Sequence, residues 1–239
     1  MRAFTPVRLK AGFTLVELLV VIGIILILMG LVMTVIPVIQ NRAKELKAEG
    51  VVQQITVAAN AYYTEHSKFP TLRTEGAPPP KAGKDAWVGD PGMGASVHNN
   101  ALFFTLRGIP KGPNAGDAAN PTRMVYYSYN AASLGNSGKP RDGFFDRTAD
   151  GSIPAADRDG NLYDPWGREY GIMMDSNGDE RIDLEGIYVD FAGADRISGK
   201  APRVQVGAFA TGKDETLGSK GNRIYKERGE KSDDVVSWE

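Results

Sequence analysis

Glu17 is the residue of this chain that asks most of its surroundings. It is the only charge in an apolar run that covers residues 13–39. A carboxylate that deep in a membrane-length segment costs roughly 2.5–3.5 kcal/mol or more. A plain anchor would carry leucine there, so Glu17 needs a partner, and that partner helps define the function. Further oxygen ligands gather later in the chain. Asp175, Asn177, Asp179 and Asp183 occupy positions 1, 3, 5 and 9 of a calcium loop, with apolar Ile182 at position 8. The glycine at position 6 and the carboxylate at position 12 are missing, since Glu180 and Gly186 stand there. An Asp-Asn-Gly cluster between two strands is also how a plain hairpin turn reads. Asp157-Arg158-Asp159-Gly160-Asn161 is a shorter version of the same pattern. The two histidines, His66 and His98, stand in no Ser/His/Asp or metal-hydrolase spacing. No catalytic residue is assigned, and an anchored exported enzyme is the disfavoured class.

The apolar run must first be placed. It follows a short basic leader that contains Arg2, Arg8 and Lys10 and ends at Gly12. A secretory signal has an h-region of 7–15 residues and a small-residue cleavage site after it. Residues 13–39 exceed that length, and nothing like Ala-x-Ala follows. About 20 apolar residues span the hydrocarbon, so a single transmembrane helix fits. The basic leader puts its start in the cytoplasm by the positive-inside rule, and the rest of the chain on the far side of the inner membrane. The remainder of the 239 residues is enough for one modest exported domain. The net charge of the whole chain, −1, gives no electrostatic footprint for nucleic acid. The chain has no cysteine, so no disulfide can staple the domain, and the 28 glycines and 14 prolines of the whole chain imply many turns. Small loop-rich exported domains without disulfides often rely on a metal.

The elements follow from periodicity. Val51, Ile55, Ala58, Ala59, Tyr62 and His66 recur at helical spacing, so one helix is expected over residues 13–66. Pro37 should kink or locally unwind it, and Phe69-Pro70 ends it. Residues 71–100 read as loop, 101–106 as a short helix, 108–120 as loop again. Residues 124–129 have strand composition, and 143–145 form a strand fragment within a turn-rich stretch over 135–161. Strands are expected at 170–174, 187–192 and 204–210, joined as an antiparallel meander. In Asp164-Pro165-Trp166-Gly167, the aspartate can bond the backbone ahead of it, Pro165 fixes its own φ, and Gly167 supplies a turn geometry.

Gly12-Phe13-Thr14-Leu15-Val16-Glu17-Leu18, with the basic leader before it and the apolar helix after it, resembles the N-terminus of type IV prepilins and of type II secretion pseudopilins. The resemblance implies that a membrane-embedded prepilin peptidase cuts between Gly12 and Phe13 and methylates the new Phe13 amine. It makes Glu17 the fifth mature residue, with a role in assembly. Asp164-Pro165-Trp166-Gly167, with Tyr170 after it, is similar to a motif of the major pseudopilin. So are Ala210-Thr211-Gly212-Lys213-Asp214 and Asp233-Asp234-Val235-Val236-Ser237-Trp238. In that family the loop between the last two motifs wraps calcium, which maps here onto Asp214 and Asp234, with Asp233 as an addition and carbonyls near Thr211. The loop is longer here than in typical members and is rich in Lys and Arg.

The resemblance implies an α+β, pilin-like fold, a long N-terminal helix packed on a C-terminal antiparallel sheet. The expected divisions are a leader over 1–12, a transmembrane and assembly helix over 13–39, its amphipathic half over 40–70, a loop-rich variable region over 71–162, and the sheet with its C-terminal loop over 163–239. The expected function is structural: a subunit of a periplasmic pseudopilus that drives type II protein secretion. The expected partners are copies of itself, minor pseudopilins and the inner-membrane secretion platform. A type IV pilin for adhesion, motility or DNA uptake is the alternative.

Overall fold

The computed structural model describes residues 12–70, 85–95, 97–135, 138–146, 158–184, 187–188, 202–218, 221–227 and 230–238. The basic leader lies outside these residues. The chain divides into two units, residues 1–43 and 44–239.

The long helix α1 covers Leu15–His66, 52 residues, and is helical through Pro37. No unwound turn appears at Pro37: one proline removes a single backbone hydrogen bond, and its neighbours carry the helix across the gap. In the first unit the apolar side chains stand exposed from Leu15 to Ile39, and Phe13 with them. Among the described residues this is the one helix long and apolar enough to cross a membrane, and none of its apolar window is buried. A helix apolar on every side needs an apolar surrounding.

The second unit holds the rest of α1, where Ala48, Val51, Val52, Ile55, Ala58, Ala59 and Tyr62 are buried. Its other elements are β1 (Ala86–Val88), α2 (Asn100–Leu106), β2 (Ser133–Leu134), β3 (Pro140–Arg141), β4 (Gly143–Phe145), β5 (Asn161–Tyr163), β6 (Gly171–Met174), β7 (Val206–Ala210), β8 (Lys226–Glu227), β9 (Glu230–Lys231) and β10 (Val235–Val236). The main sheet is antiparallel with order β1-β6-β7-β10. The fold is therefore α+β, with a long helix and an antiparallel sheet.

Three expectations are corrected. Residues 86–88 lie in the stretch read as loop, yet they form an edge strand, with Trp87 opposite Met173. The sheet thus draws on the variable region as well as on 163–239. Residues 124–129 form no strand. The N–H groups of Tyr126 and Tyr127 both donate to the Leu106 carbonyl, so that backbone is used up on the end of α2. The meander is also different. β6 and β7 pair directly, with Ile172 opposite Ala208. Ile187 and Tyr188 are not strand, and 189–192 lie outside the described residues.

Side chains alternate across the sheet, as strand geometry requires. Ile172, Met174, Val206, Ala208, Ala210 and Val235 share one core with the buried face of α1 and with Leu102, Phe103 and Leu106 of α2. Met173, Phe209 and Val236 share a second core with Ile182, Leu184, Ile187, Tyr188, Leu217 and Tyr225. The second core is closed by loops. Whatever fixes those loops therefore protects one face of the sheet.

Candidate functional site

Thr14 and Glu17 build the start of α1. The Thr14 N–H and hydroxyl both donate to Glu17 Oε2, at 2.8 and 2.6 Å, and the Glu17 N–H donates to Thr14 Oγ1 at 3.2 Å. This reciprocal pair is a capping box. In the single chain the carboxylate therefore has a local partner, which the Thr-x-x-Glu spacing signals and the charge-cost argument passed over. Gly12 and Phe13 lie just before this cap, both exposed.

The C-terminal aspartates come together. Asp214, Asp233 and Asp234 place ligand oxygens within 4.8 Å of one another, the one such group among the described residues. The loop fold achieves this. The backbone turns at Gly212, whose φ of 70° suits glycine, and a Cβ there would strike the Asp233 carbonyl. Asp214 N–H donates to Asp233 Oδ2 at 3.0 Å, and Thr216 N–H donates to Asp214 Oδ1 at 2.8 Å. Asp234 Oδ2 accepts from the Tyr188 hydroxyl and from Gly218 N–H, each at 2.7 Å. Its other oxygen, Oδ1, is buried without a hydrogen-bond partner, and so is the Thr211 hydroxyl. Burial pushes the Asp234 carboxyl up to about 7, against the Gly218 and Tyr188 donors and helped by the Asp233 charge. A buried orphan carboxylate oxygen beside two more carboxylates is the donor set a hard divalent cation fits.

The earlier loop is arranged as a turn. Asp175 Oδ1 accepts from the N–H groups of Gly178 and Asp179, and Oδ2 accepts from Glu180 N–H. Asn177 Oδ1 accepts from Asp179 N–H, and Asp179 Oδ1 from Arg181 N–H. Glu180 takes a left-handed φ of 62° where a calcium loop has glycine. Sequence reasoning missed Asp85, which accepts from Ser176 N–H at 3.0 Å and from Asp183 N–H at 2.7 Å. Burial raises the Asp85 carboxyl to about 6, with the Asp175 and Asp179 charges adding to it. In the shorter acidic stretch, Asp157 lies outside the described residues and Asp159 pairs with Lys111 at 2.7 Å.

Two further polar centres support these loops. Asp164 is wholly buried, and its Oδ1 accepts from Trp166, Gly167 and Arg168 N–H at 2.9, 2.7 and 2.9 Å. This is the turn the motif predicts, with Trp166 packed inward. Nearby, buried Glu169 accepts from His98 Nδ1 at 2.7 Å and from Asn161 Nδ2 at 2.9 Å. Wholly buried Asn99 donates to the Leu162 and Tyr170 carbonyls and accepts from Leu162 N–H. His98 and Asn99 lie some 70 residues before Glu169, and no local pattern announces the contact. His66 is half-buried, its ring tilted against Tyr62 at 4.2 Å between centroids, and hydrogen-bonded to the Tyr126 hydroxyl at 3.1 Å.

Comparison with known proteins bears on the first of these features. No curated protein and no solved structure matches the chain. The family model described as the prokaryotic N-terminal methylation motif matches residues 7–33, and so includes Gly12, Phe13 and Glu17. The chain therefore carries, at the head of the membrane-length helix α1, the N-terminal methylation motif of the type IV pilin and pseudopilin class.

Proposed function

We propose that this chain is a structural subunit of a type II secretion pseudopilus, anchored in the inner membrane by residues 13–39 with its C-terminal domain in the periplasm. The observation that carries the reading is the methylation motif over residues 7–33 at the start of the exposed apolar helix α1. A prepilin peptidase cleaves between Gly12 and Phe13, and the new amine is methylated. That amine is cationic at neutral pH, with a pKa of about 8 before methylation. Glu17 then exchanges its Thr14 cap for the Phe13 amine of a neighbouring copy. Each charge alone is costly in hydrocarbon, and the pair cancels much of that cost. Donor and acceptor lie at different places on the helix, so the contact is head-to-tail and propagates as an open helical array.

The role is structural rather than enzymatic. Calcium held by Asp214, Asp233 and Asp234, with the buried Asp234 Oδ1 among its ligands, supplies the positive charge that these carboxylates share. The Asp-Pro-Trp-Gly turn and this acidic group favour a secretion pseudopilin over an adhesive or twitching pilin. The deciding experiment deletes the chain in its host and measures two outputs. The reading predicts that folded proteins no longer reach the medium while surface pili and twitching persist. Intact secretion with lost pili would instead make it a type IV pilin.

A further inference from the structure

Glu215 follows Asp214 and adopts a φ of 58°. Left-handed backbone favours glycine, asparagine or aspartate, so glutamate there is strained. Its carboxylate does something with that position. Oε2 accepts from Lys139 Nζ at 3.0 Å and lies 3.7 Å from Arg168 Nε. Arg168 in turn donates to Asp90 Oδ2 at 2.8 Å. Lys139 immediately precedes β3, and Arg168 closes the Asp164 turn. Asp90 caps the turn at Pro91–Met93 that follows β1. One carboxylate thus bridges the acidic loop to two other loops of the second unit. Glu215, Arg168 and Met93 also line one cleft of about 250 Å³ together with Thr216, Leu217 and Arg223.

We propose that Glu215 is a positioning residue for the cation loop: through Lys139 and Arg168 it holds the Asp214 turn against the body of the domain, and so raises calcium affinity without touching the metal. This rests on the calcium reading above. If Glu215 were only a surface residue, glycine would be the better choice at its φ. Glu215→Gly should relieve the backbone, leave calcium binding intact and stabilise the loop. The proposal predicts the opposite for binding. The pairs are partly exposed, which bounds the effect at about three- to tenfold in Kd.

The test is calorimetric titration of calcium into the full chain in detergent micelles, for wild type, Glu215→Gly, Glu215→Gln, Lys139→Met and the Lys139→Met/Glu215→Gln double variant. Melting in chelator reports whether each apo variant is folded. The expected result is a wild type that binds calcium, Gly and Gln variants that bind about three- to tenfold more weakly while staying folded in chelator, the Gly variant melting there no lower than wild type, and a double variant no weaker than the worse single one. Glu215→Gly binding as tightly as wild type, or additive losses in the double variant, overturns the proposal. A wild type that binds no calcium overturns the calcium reading itself and this inference with it.

Discussion

Asp164 gathers three backbone N–H groups on one oxygen, yet its carboxyl is pushed up to about 7, chiefly by burial. The raised value sets the sign of its effect on stability. Below about pH 4 the group is protonated in both states and costs nothing. Between its ordinary value of 3.8 and about 7 the unfolded chain ionises while the folded one keeps its proton, so stability falls as pH rises. Asp85, raised to about 6, acts in the same direction. Asp164→Asn keeps the accepting Oδ1 and removes the charge. Denaturant midpoints in chelator should therefore fall between pH 4 and 7 for wild type and fall less steeply for the variant; equal slopes would show that Asp164 does not carry this cost. Glu17 acts at the same scale. Its cap on Thr14 makes it more than a waiting charge, but a capping box contributes only about 1 kcal/mol. Glu17→Leu should stay membrane-inserted and lose filament assembly, and Glu17→Asp should assemble in part. Wild-type assembly by Glu17→Leu in a filament-shearing assay would remove the glutamate from the register.

At the scale of elements, the Asn99 side chain joins the entry of α2 to β5 and to the residue before β6. Asn99→Ala breaks three hydrogen bonds and takes the partner from the Leu162 N–H and the Tyr170 carbonyl, while the Leu162 carbonyl keeps the Tyr170 N–H. A loss of about 2–4 kcal/mol in urea unfolding is expected. The second core depends on loops, and the Tyr188 hydroxyl reaches Asp234 from inside it. Calcium at a hundredfold excess over its Kd should stabilise the fold by about 2.7 kcal/mol, read as a lower Tm in chelator, and Asp234→Ala should erase the difference. Identical curves for wild type with and without calcium would count against the site. These elements were unequally legible in the sequence. α1 announces itself because its apolar residues recur over many turns. β1 does not: Ala86, Trp87 and Val88 are three residues within Gly- and Pro-rich chain, and only pairing with β6 makes them a strand. Residues 124–129 show the reverse error, since aromatic composition reads as strand while their N–H groups serve the end of α2. Asp233 and Asp234 were visible through their motif. The His98–Glu169 contact was not, because long-range polar pairs leave no periodic trace.

At the scale of the whole molecule, the proposed subunit is cut, methylated and polymerised through its N-terminal helix. The most direct measurement is mass spectrometry of filaments sheared or extracted from host cells that overproduce the chain together with its prepilin peptidase. The expected result is filaments whose subunit begins at Phe13 with a methylated amine and lacks residues 1–12. A chain that keeps its leader, or one whose N-terminus lies beyond residue 39, and that is recovered only as a single subunit, would contradict it.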